Sequence, residues 1–297
     1  MAAPSDFRAL EANNRRDTVM LIAVFILLFA ALGLGFDFFV GDLRFVQGQL
    51  TGFPLLTIAA LIFASFQSFI SFYAGTPLIL LSVHARELFP DSPKHQMVLD
   101  VIHEMALAAR MPVPRAYIMD DPAPNAFATG RDPWHSVICV TQGLVDQMDR
   151  EELQGVLGHE MAHIRDYDIR TMMIVAILLG GIAMLSDFFF RWNFYGGRRA
   201  SRRDDSNAEA GLFIAVAVIV LAILAPILSQ IIAMAVSRER EYLADASSVE
   251  FTRNPRALLR ALEHIAQIES PLKEGVRGTA HLFIVNPLHP DVDDNEG

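Results

Sequence analysis

The chain has 297 residues, 53% of them hydrophobic, and a formal net charge of -10. This hydrophobic content exceeds that of an ordinary soluble domain, so we expect part of the chain to lie outside water. The acidic balance, with no basic patch interleaved with aromatic residues, argues against a nucleic-acid partner. A single cysteine, Cys139, excludes an intrachain disulfide and is typical of a reducing compartment, and its apolar neighbours predict a buried strand position.

Long uncharged runs predict helices that cross a membrane. The runs 18–36, 53–83 and 210–237 contain no charged residue, and each is long enough for a hydrocarbon layer, which needs roughly 20 helical residues. A shorter run, 171–186, extends to residue 190 only if Asp187 is tolerated near a boundary. Core helices of soluble proteins are the alternative, but they are usually shorter and keep a polar stripe. We expect four membrane helices, the first of them retained because no small-residue cleavage site follows it.

The distribution of arginine predicts the orientation of these helices. Three arginines precede the first run, whereas Arg44 is the only basic residue between the first two runs. Basic short segments stay in the cytoplasm, so the N-terminus and the segments 84–170 and 238–297 are predicted to be cytoplasmic. The connection between the third and fourth helices opposes this assignment because it carries Arg191, Arg198, Arg199, Arg202 and Arg203. Either the N-terminal signal dominates, or these two helices form a hairpin that does not fully cross.

The segment between the second and third helices has the pattern of a folded domain. Ser92 followed by Pro93 predicts the start of a helix, which Pro112 and Pro114 end. Short strands are predicted at 116–119 and 136–140, with a loop rich in Asp, Pro and Gly between them. Asp149 and Glu152 then form a capping-box pair at the start of a second helix.

That second helix carries a His-Glu-x-x-His motif formed by His159, Glu160 and His163. Residues four apart share one helix face, so the two imidazoles can converge on one tetrahedral zinc ion. Glu160 lies next to that site and is predicted to take a proton from metal-bound water, whose pKa zinc lowers to about 7. A helix that merely displays these residues on its surface is the alternative. The small and apolar residues around them favour a buried site, where a His pair and a carboxylate need partners.

The third ligand must come from another part of the chain, because no histidine follows His163 at the spacing of metzincin proteases. A charged helix is predicted just after the last apolar run, where Glu241 and Asp245 share one face. One of them can bind the metal while the other accepts a hydrogen bond from an imidazole. Glu239 is the competing ligand, but it lies on a different face from Asp245. The spacing favours Glu241.

With these motifs in this order, the chain resembles the HtpX-like membrane metalloproteases, relatives of the CAAX prenyl proteases within the gluzincin group. The resemblance covers nearly the whole chain. It implies one Zn2+ ion per chain held by His159, His163 and Glu241, with Glu160 as the catalytic carboxylate and Asp245 behind the ligands. It also implies membrane-protein or peptide substrates, a location in the inner cell membrane and a role in protein quality control.

Two further segments concern the substrate. The segment with Asn125, Ala126 and Phe127 is similar to an edge strand beside the cleft of such enzymes, where backbone pairing holds an extended substrate. For Asn125, an ordinary turn residue after Pro124 is the alternative interpretation. His289 precedes a proline but lacks the arginine that follows in the family, so it is either an oxyanion stabiliser or an exposed tail residue.

Together these patterns predict a mainly α, multi-pass membrane protein with an α+β zincin-type metalloprotease domain on the cytoplasmic side. The predicted function is that of a zinc-dependent endopeptidase, with a transporter, an intramembrane protease or a catalytically silent membrane scaffold as alternatives. The predicted segments are a cytoplasmic tail (1–17), a membrane hairpin (18–83), the domain with the His-Glu-x-x-His helix (84–170), a second membrane hairpin (171–236) and the third-ligand helix with the rest of the catalytic domain (237–297).

Overall fold

The computed structural model describes residues 7–40, 43–191 and 238–267. The chain divides into two compact units, the first comprising residues 1–18, 70–177 and 236–297 and the second 19–69 and 178–235. The boundaries of the five predicted segments stay a prediction. The described elements are, in chain order, α1 (Phe7–Val40), β1 (Leu43–Val46), β2 (Gln49–Gly52), α2 (Leu55–Ser82), β3 (Arg86–Glu87), α3 (Pro93–Ala109), β4 (Arg115–Met119), β5 (Ala126–Gly130), β6 (Ser136–Thr141), α4 (Gln142–Gln147), α5 (Arg150–Arg165), α6 (Asp168–Arg191), α7 (Arg238–Thr252) and α8 (Pro255–Ala266).

The second unit contains a helical hairpin made from parts of α1 and α2. A β-hairpin joins the two helices: β1 and β2 pair antiparallel, and Gln47 and Gly48 both adopt positive φ, as a two-residue type I′ turn requires. The buried Asp37 carboxylate accepts hydrogen bonds from the backbone N–H groups of Leu56 and Thr57, each at 2.8 Å. It thereby caps the first turn of α2, whose N–H groups have no partner within the helix.

Two of the described helical stretches are long and apolar enough to cross a membrane, Arg15–Phe38 and Leu55–Ser82. They correspond to the first and second predicted spans, and they expose many large apolar side chains, which water disfavours. The third predicted run lies in α6, so its helical structure is confirmed, while its crossing of a membrane stays a prediction. The fourth predicted span, 210–237, and most of the arginine-rich connection lie outside the described residues.

The first unit is built around a four-stranded mixed sheet with the strand order β3-β4-β6-β5. β4 and β6 are parallel, whereas β3 and β5 run antiparallel to their neighbours, so β5 is an edge strand. Cys139 is fully buried in β6, as predicted. The residue pattern alone predicted a loop across β5, which is wrong because the short Ala-Phe-Ala-Thr-Gly segment pairs with β6. The edge strand expected from the family resemblance is confirmed.

Helix α5 is the central helix of the first unit. It contacts α3, α7, α8 and β5, and Leu153 and every residue from Gly155 to Ile164 are buried. The predicted capping box is confirmed: Asp149 accepts a hydrogen bond from the Glu152 N–H at 2.8 Å, and Glu152 accepts one from the Asp149 N–H at 3.0 Å. These two bonds satisfy N–H groups that the first turn leaves free and fix where α5 begins.

Gly155 provides a direct test of this packing. A Cβ at Gly155 would lie 2.7 Å from the backbone of Ala257 at the start of α8, which cannot move aside as a flexible side chain can. We expect Gly155→Ala to destabilise the protein by about 1–3 kcal/mol through overpacking. The measurement is the thermal unfolding midpoint of the purified protein in detergent. Gly180→Ala is the control, because a Cβ at Gly180 in α6 meets no atom of the described residues within 4 Å. Equal midpoints for both variants would contradict the α5–α8 packing.

Candidate metal centre

Three side chains from two helices converge in the first unit. His159 and His163 lie one turn apart on α5, and Glu241 reaches them from α7. The Nε2 atoms of the two imidazoles are 3.1 Å apart, and Oε2 of Glu241 lies 3.4 Å from the first and 3.8 Å from the second. This is the one group of three potential metal ligands found among the described residues. Glu239, the competing ligand from the sequence, has a side chain outside the described part of the chain.

A carboxylate lies behind each imidazole. Nδ1 of His159 is 2.9 Å from Oδ1 of Asp245, and Nδ1 of His163 is 3.3 Å from Oδ2 of Asp168. Each Nδ1–H can donate to its carboxylate, which orients the ring and leaves Nε2 directed at the other ligand atoms. Asp245 lies where the sequence predicted it. Asp168 was missed as an imidazole partner, although a lone acid at the first position of the apolar helix α6 was the available signal.

The carboxylates dominate the electrostatics of this centre. Burial lowers the pKa of His159, but its hydrogen bonds to Asp245 and Glu241 and the charges of Glu160 and Glu241 raise it more, to about 10. Burial raises the pKa of Glu241, yet the His159 hydrogen bond and the two imidazoles leave it below its ordinary value. The centre therefore favours a positive charge between the acidic groups. Either a proton or a divalent cation can supply that charge.

Glu160 is buried next to this cluster, with 3% of its surface exposed. Burial raises its pKa above the ordinary value, although the charges of the two imidazoles and a hydrogen bond from the backbone N–H of Ala128 oppose this. The N–H of Ala128 belongs to β5, so the edge strand helps to hold the carboxylate. A carboxylate with a raised pKa is suited to accepting and returning a proton near neutral pH.

The predicted substrate residues lie at the start of this edge strand. Ala126 and Phe127 are buried in β5. Asn125 precedes the strand and is hydrogen-bonded to Thr141 at the end of β6. The Asn125 N–H donates to Oγ1 of Thr141 at 2.9 Å, and the Asn125 carbonyl oxygen accepts from the Thr141 N–H at 3.0 Å. These two bonds hold Asn125 against the end of β6, and its contact with the substrate stays a prediction. His289 lies outside the described residues.

A buried His-Glu-x-x-His helix with a carboxylate from a second helix defines a metallopeptidase. Residues 92–293 match the profile of peptidase family M48. "Protease HtpX homolog" of Lactobacillus acidophilus is 40% identical over 281 residues, which cover 94% of this chain and 90% of that protein. The protein of the same name from Caldanaerobacter subterraneus subsp. tengcongensis is 40% identical over 279 residues, covering 94% of this chain and 89% of that protein.

The chain therefore belongs to peptidase family M48, and its predicted resemblance to HtpX-like proteases is confirmed. It is a metalloendopeptidase, which favours the enzyme prediction over the transporter alternative. The matched residues 92–293 contain both α5 and α7, so they include every member of the cluster described above.

The carboxylate behind His159 can be tested separately from the cluster. We expect Asp245→Ala to weaken divalent-metal binding by about 10–100-fold, because the imidazole loses the acceptor that orients it. The measurement is the metal dissociation constant in competition with a chelator of known affinity. Glu250→Ala is the control, since Glu250 lies on the same helix but is exposed and pairs with Arg165 at 3.5 Å. Unchanged metal affinity in Asp245→Ala would contradict the orienting role.

Proposed function

We propose that this protein is a zinc-dependent endopeptidase that cleaves membrane proteins at the cytoplasmic face. The convergence of His159, His163 and Glu241 is the observation that carries the proposal. Two ligands that are each about 2.1 Å from a tetrahedral zinc ion lie roughly 3.4 Å from one another. The three interatomic distances of 3.1, 3.4 and 3.8 Å bracket that separation. Two nitrogens and one oxygen also form a donor set that zinc prefers, and a zinc ion held by these three residues would remain accessible to water or substrate.

The chemistry follows from the residues around the ligands. When bound, zinc lowers the pKa of water and polarises the scissile carbonyl. Glu160 takes the proton of the attacking water and later delivers it to the amine that leaves. Its raised pKa favours the first of these steps, because a carboxyl group that is too acidic is a poor proton acceptor at neutral pH. Asp245 and Asp168 keep the two imidazoles in place throughout.

The substrate chain binds in an extended conformation along β5 in this proposal. β5 pairs with β6 on one side and is the terminal strand of its sheet. An added strand forms backbone hydrogen bonds that do not depend on side-chain identity, which suits a protease with many substrates. Asn125, Ala126 and Phe127 lie at the start of this edge, and the N–H of Ala128 already bonds to Glu160. The scissile bond is thereby brought to the proton-transfer group. The oxyanion contact of His289 stays a prediction, with an exposed tail residue as its alternative.

The membrane setting rests on the apolar helices and on the distribution of arginine. Two described helices qualify as membrane spans, and the proposed topology adds 171–186 and 210–237 to give a multi-pass protein of the inner membrane. With the N-terminus in the cytoplasm, both ligand-bearing segments lie on the cytoplasmic side. Proteins of the same bilayer with loose cytoplasmic segments are then the nearest substrates. Quality control of membrane proteins is the role that this placement supports.

Replacing the proton-transfer group separates catalysis from metal binding. We expect Glu160→Gln to lower the rate of peptide cleavage by about 10²–10⁴-fold, because the amide cannot accept the proton. Zinc content should stay near one ion per chain, since the proposed ligands are untouched. The two measurements are cleavage of a membrane-protein substrate in detergent and metal analysis of the same sample.

Glu151→Gln is the matched control for this experiment. Glu151 lies on the same helix α5 but is exposed and pairs with Arg260 on α8. The Glu151→Gln protein should cleave the membrane-protein substrate at the wild-type rate. A Glu160→Gln protein that cleaves as fast as the Glu151→Gln protein would contradict the assignment of Glu160.

A further inference from the structure

Asp17 of α1 forms an ion pair with the helix that supplies Glu241. Oδ2 of Asp17 accepts a hydrogen bond from Nη2 of Arg240 at 3.2 Å. The Arg240 side chain is 17% exposed and that of Asp17 is 28% exposed, so neither is a freely solvated surface charge. Arg240 is the residue immediately before Glu241 in α7. The pair therefore lies next to the metal centre along the chain and belongs to the same compact unit.

Arg240 also faces the carboxylate behind His163. Its Nε lies 3.6 Å from Oδ1 of Asp168, while Oδ2 of the same carboxylate lies 3.3 Å from Nδ1 of His163. Each Asp168 oxygen thus has a different partner. Asp17, Arg240, Asp168 and His163 thus form a continuous series of polar contacts, which connects α1 to one of the two imidazoles.

Asp168 needs a cation in this position. Its side chain is 5% exposed, and the buried carboxylate of Asp166 lies close enough to repel it. A buried anion beside another anion is costly unless an opposite charge compensates it. Arg165 compensates the charge of Asp166, with its Nε 3.3 Å from Oδ1 of that carboxylate. Arg240 lies where it can compensate the charge of Asp168. The guanidinium group in turn needs its own orientation, and Asp17 supplies an acceptor for it.

We propose that Asp17 and Arg240 are positioning residues of the metal centre, acting on His163 through Asp168. The inference rests on the proposed zinc site and names further residues on which that site depends. Asp17 lies outside residues 92–293, the part of the chain that matches the peptidase family, yet it falls within the catalytic unit. In this proposal, Asp17 of α1 helps to position a metal ligand without touching the ion or the substrate. α7 orients both imidazoles, His159 directly through Asp245 and His163 indirectly through Arg240.

The test uses the full-length protein in detergent and measures its zinc dissociation constant by chelator competition. We expect Arg240→Gln to weaken zinc binding by about 10–100-fold, as loss of a partner behind a ligand does. Asp17→Asn should weaken it by about three- to tenfold, since a partly exposed pair contributes less than a buried one. The double variant should bind zinc no more weakly than Arg240→Gln alone, because Asp17 acts only through Arg240. The conservative changes Arg240→Lys and Asp17→Glu should recover part of the lost affinity.

The visible absorption spectrum of the cobalt-substituted enzyme provides a second readout. Loss of an ion pair with a purely structural role would leave this spectrum unchanged. It should shift in Arg240→Gln and Asp17→Asn, because the geometry of His163 changes. Arg16→Gln is the matched control: Arg16 is 3.9 Å from the same Asp17 carboxylate but is 76% exposed, and its removal should change neither readout.

The outcomes separate this inference from the proposed function. Wild-type protein that binds no stoichiometric zinc would overturn both. Wild-type protein that binds zinc, together with wild-type affinity and spectrum in Asp17→Asn, would overturn the positioning role alone. Additive losses in the double variant would also overturn it, because they would show that the two residues act independently. If Asp17→Asn does not fold, Arg240→Gln is compared with Arg16→Gln instead, and wild-type zinc affinity and spectrum in Arg240→Gln would overturn the positioning role.

Discussion

The site depends on holding two imidazoles side by side with their Nε2 atoms 3.1 Å apart. Two buried rings on one helix do not adopt this arrangement without partners, because each ring nitrogen loses its contact with water. Asp245 and Asp168 supply those partners at the Nδ1 positions, and Glu241 supplies an acidic oxygen on the opposite side. The geometry and the charge of the centre thus have the same origin, a set of carboxylates arranged around two histidines.

The surrounding fold brings these carboxylates from distant parts of the chain. Close packing of α5 against α7 places Glu241 and Asp245 over the histidine face, and the tight approach at Gly155 brings α8 against α5. Asp168 begins α6 only five residues after His163, so the turn after α5 returns the chain to the site. The edge strand β5 completes the centre, because its Ala128 N–H bonds to Glu160. Substrate recognition and proton transfer thereby share one strand in the proposed mechanism.

Local patterns in the sequence were sufficient to predict many of the helices and site residues described above. The capping box of Asp149 and Glu152, the helical spacing of His159 and His163, and the shared face of Glu241 and Asp245 are set by neighbours within one helix. Such features follow from helix periodicity alone. The strand β5 could not be predicted from such a pattern. Its five residues show no alternation of apolar and polar side chains, and they form a strand because they pair with β6. The Asp17–Arg240 pair could not be predicted, since it depends on a tertiary contact between separate helices. For Asp168, the available signal was its position as a lone acid at the start of an apolar helix.

The central prediction is that His159, His163 and Glu241 bind one metal ion together. X-ray absorption at the zinc edge of the purified protein tests this most directly, because it counts the ligands and recognises imidazoles by the scattering of their outer ring atoms. We predict two imidazole nitrogens and carboxylate oxygen in the first shell at about 2.0–2.2 Å, and loss of the carboxylate contribution in Glu241→Ala. A spectrum with fewer than two imidazoles, or one that Glu241→Ala leaves unchanged, would contradict the account.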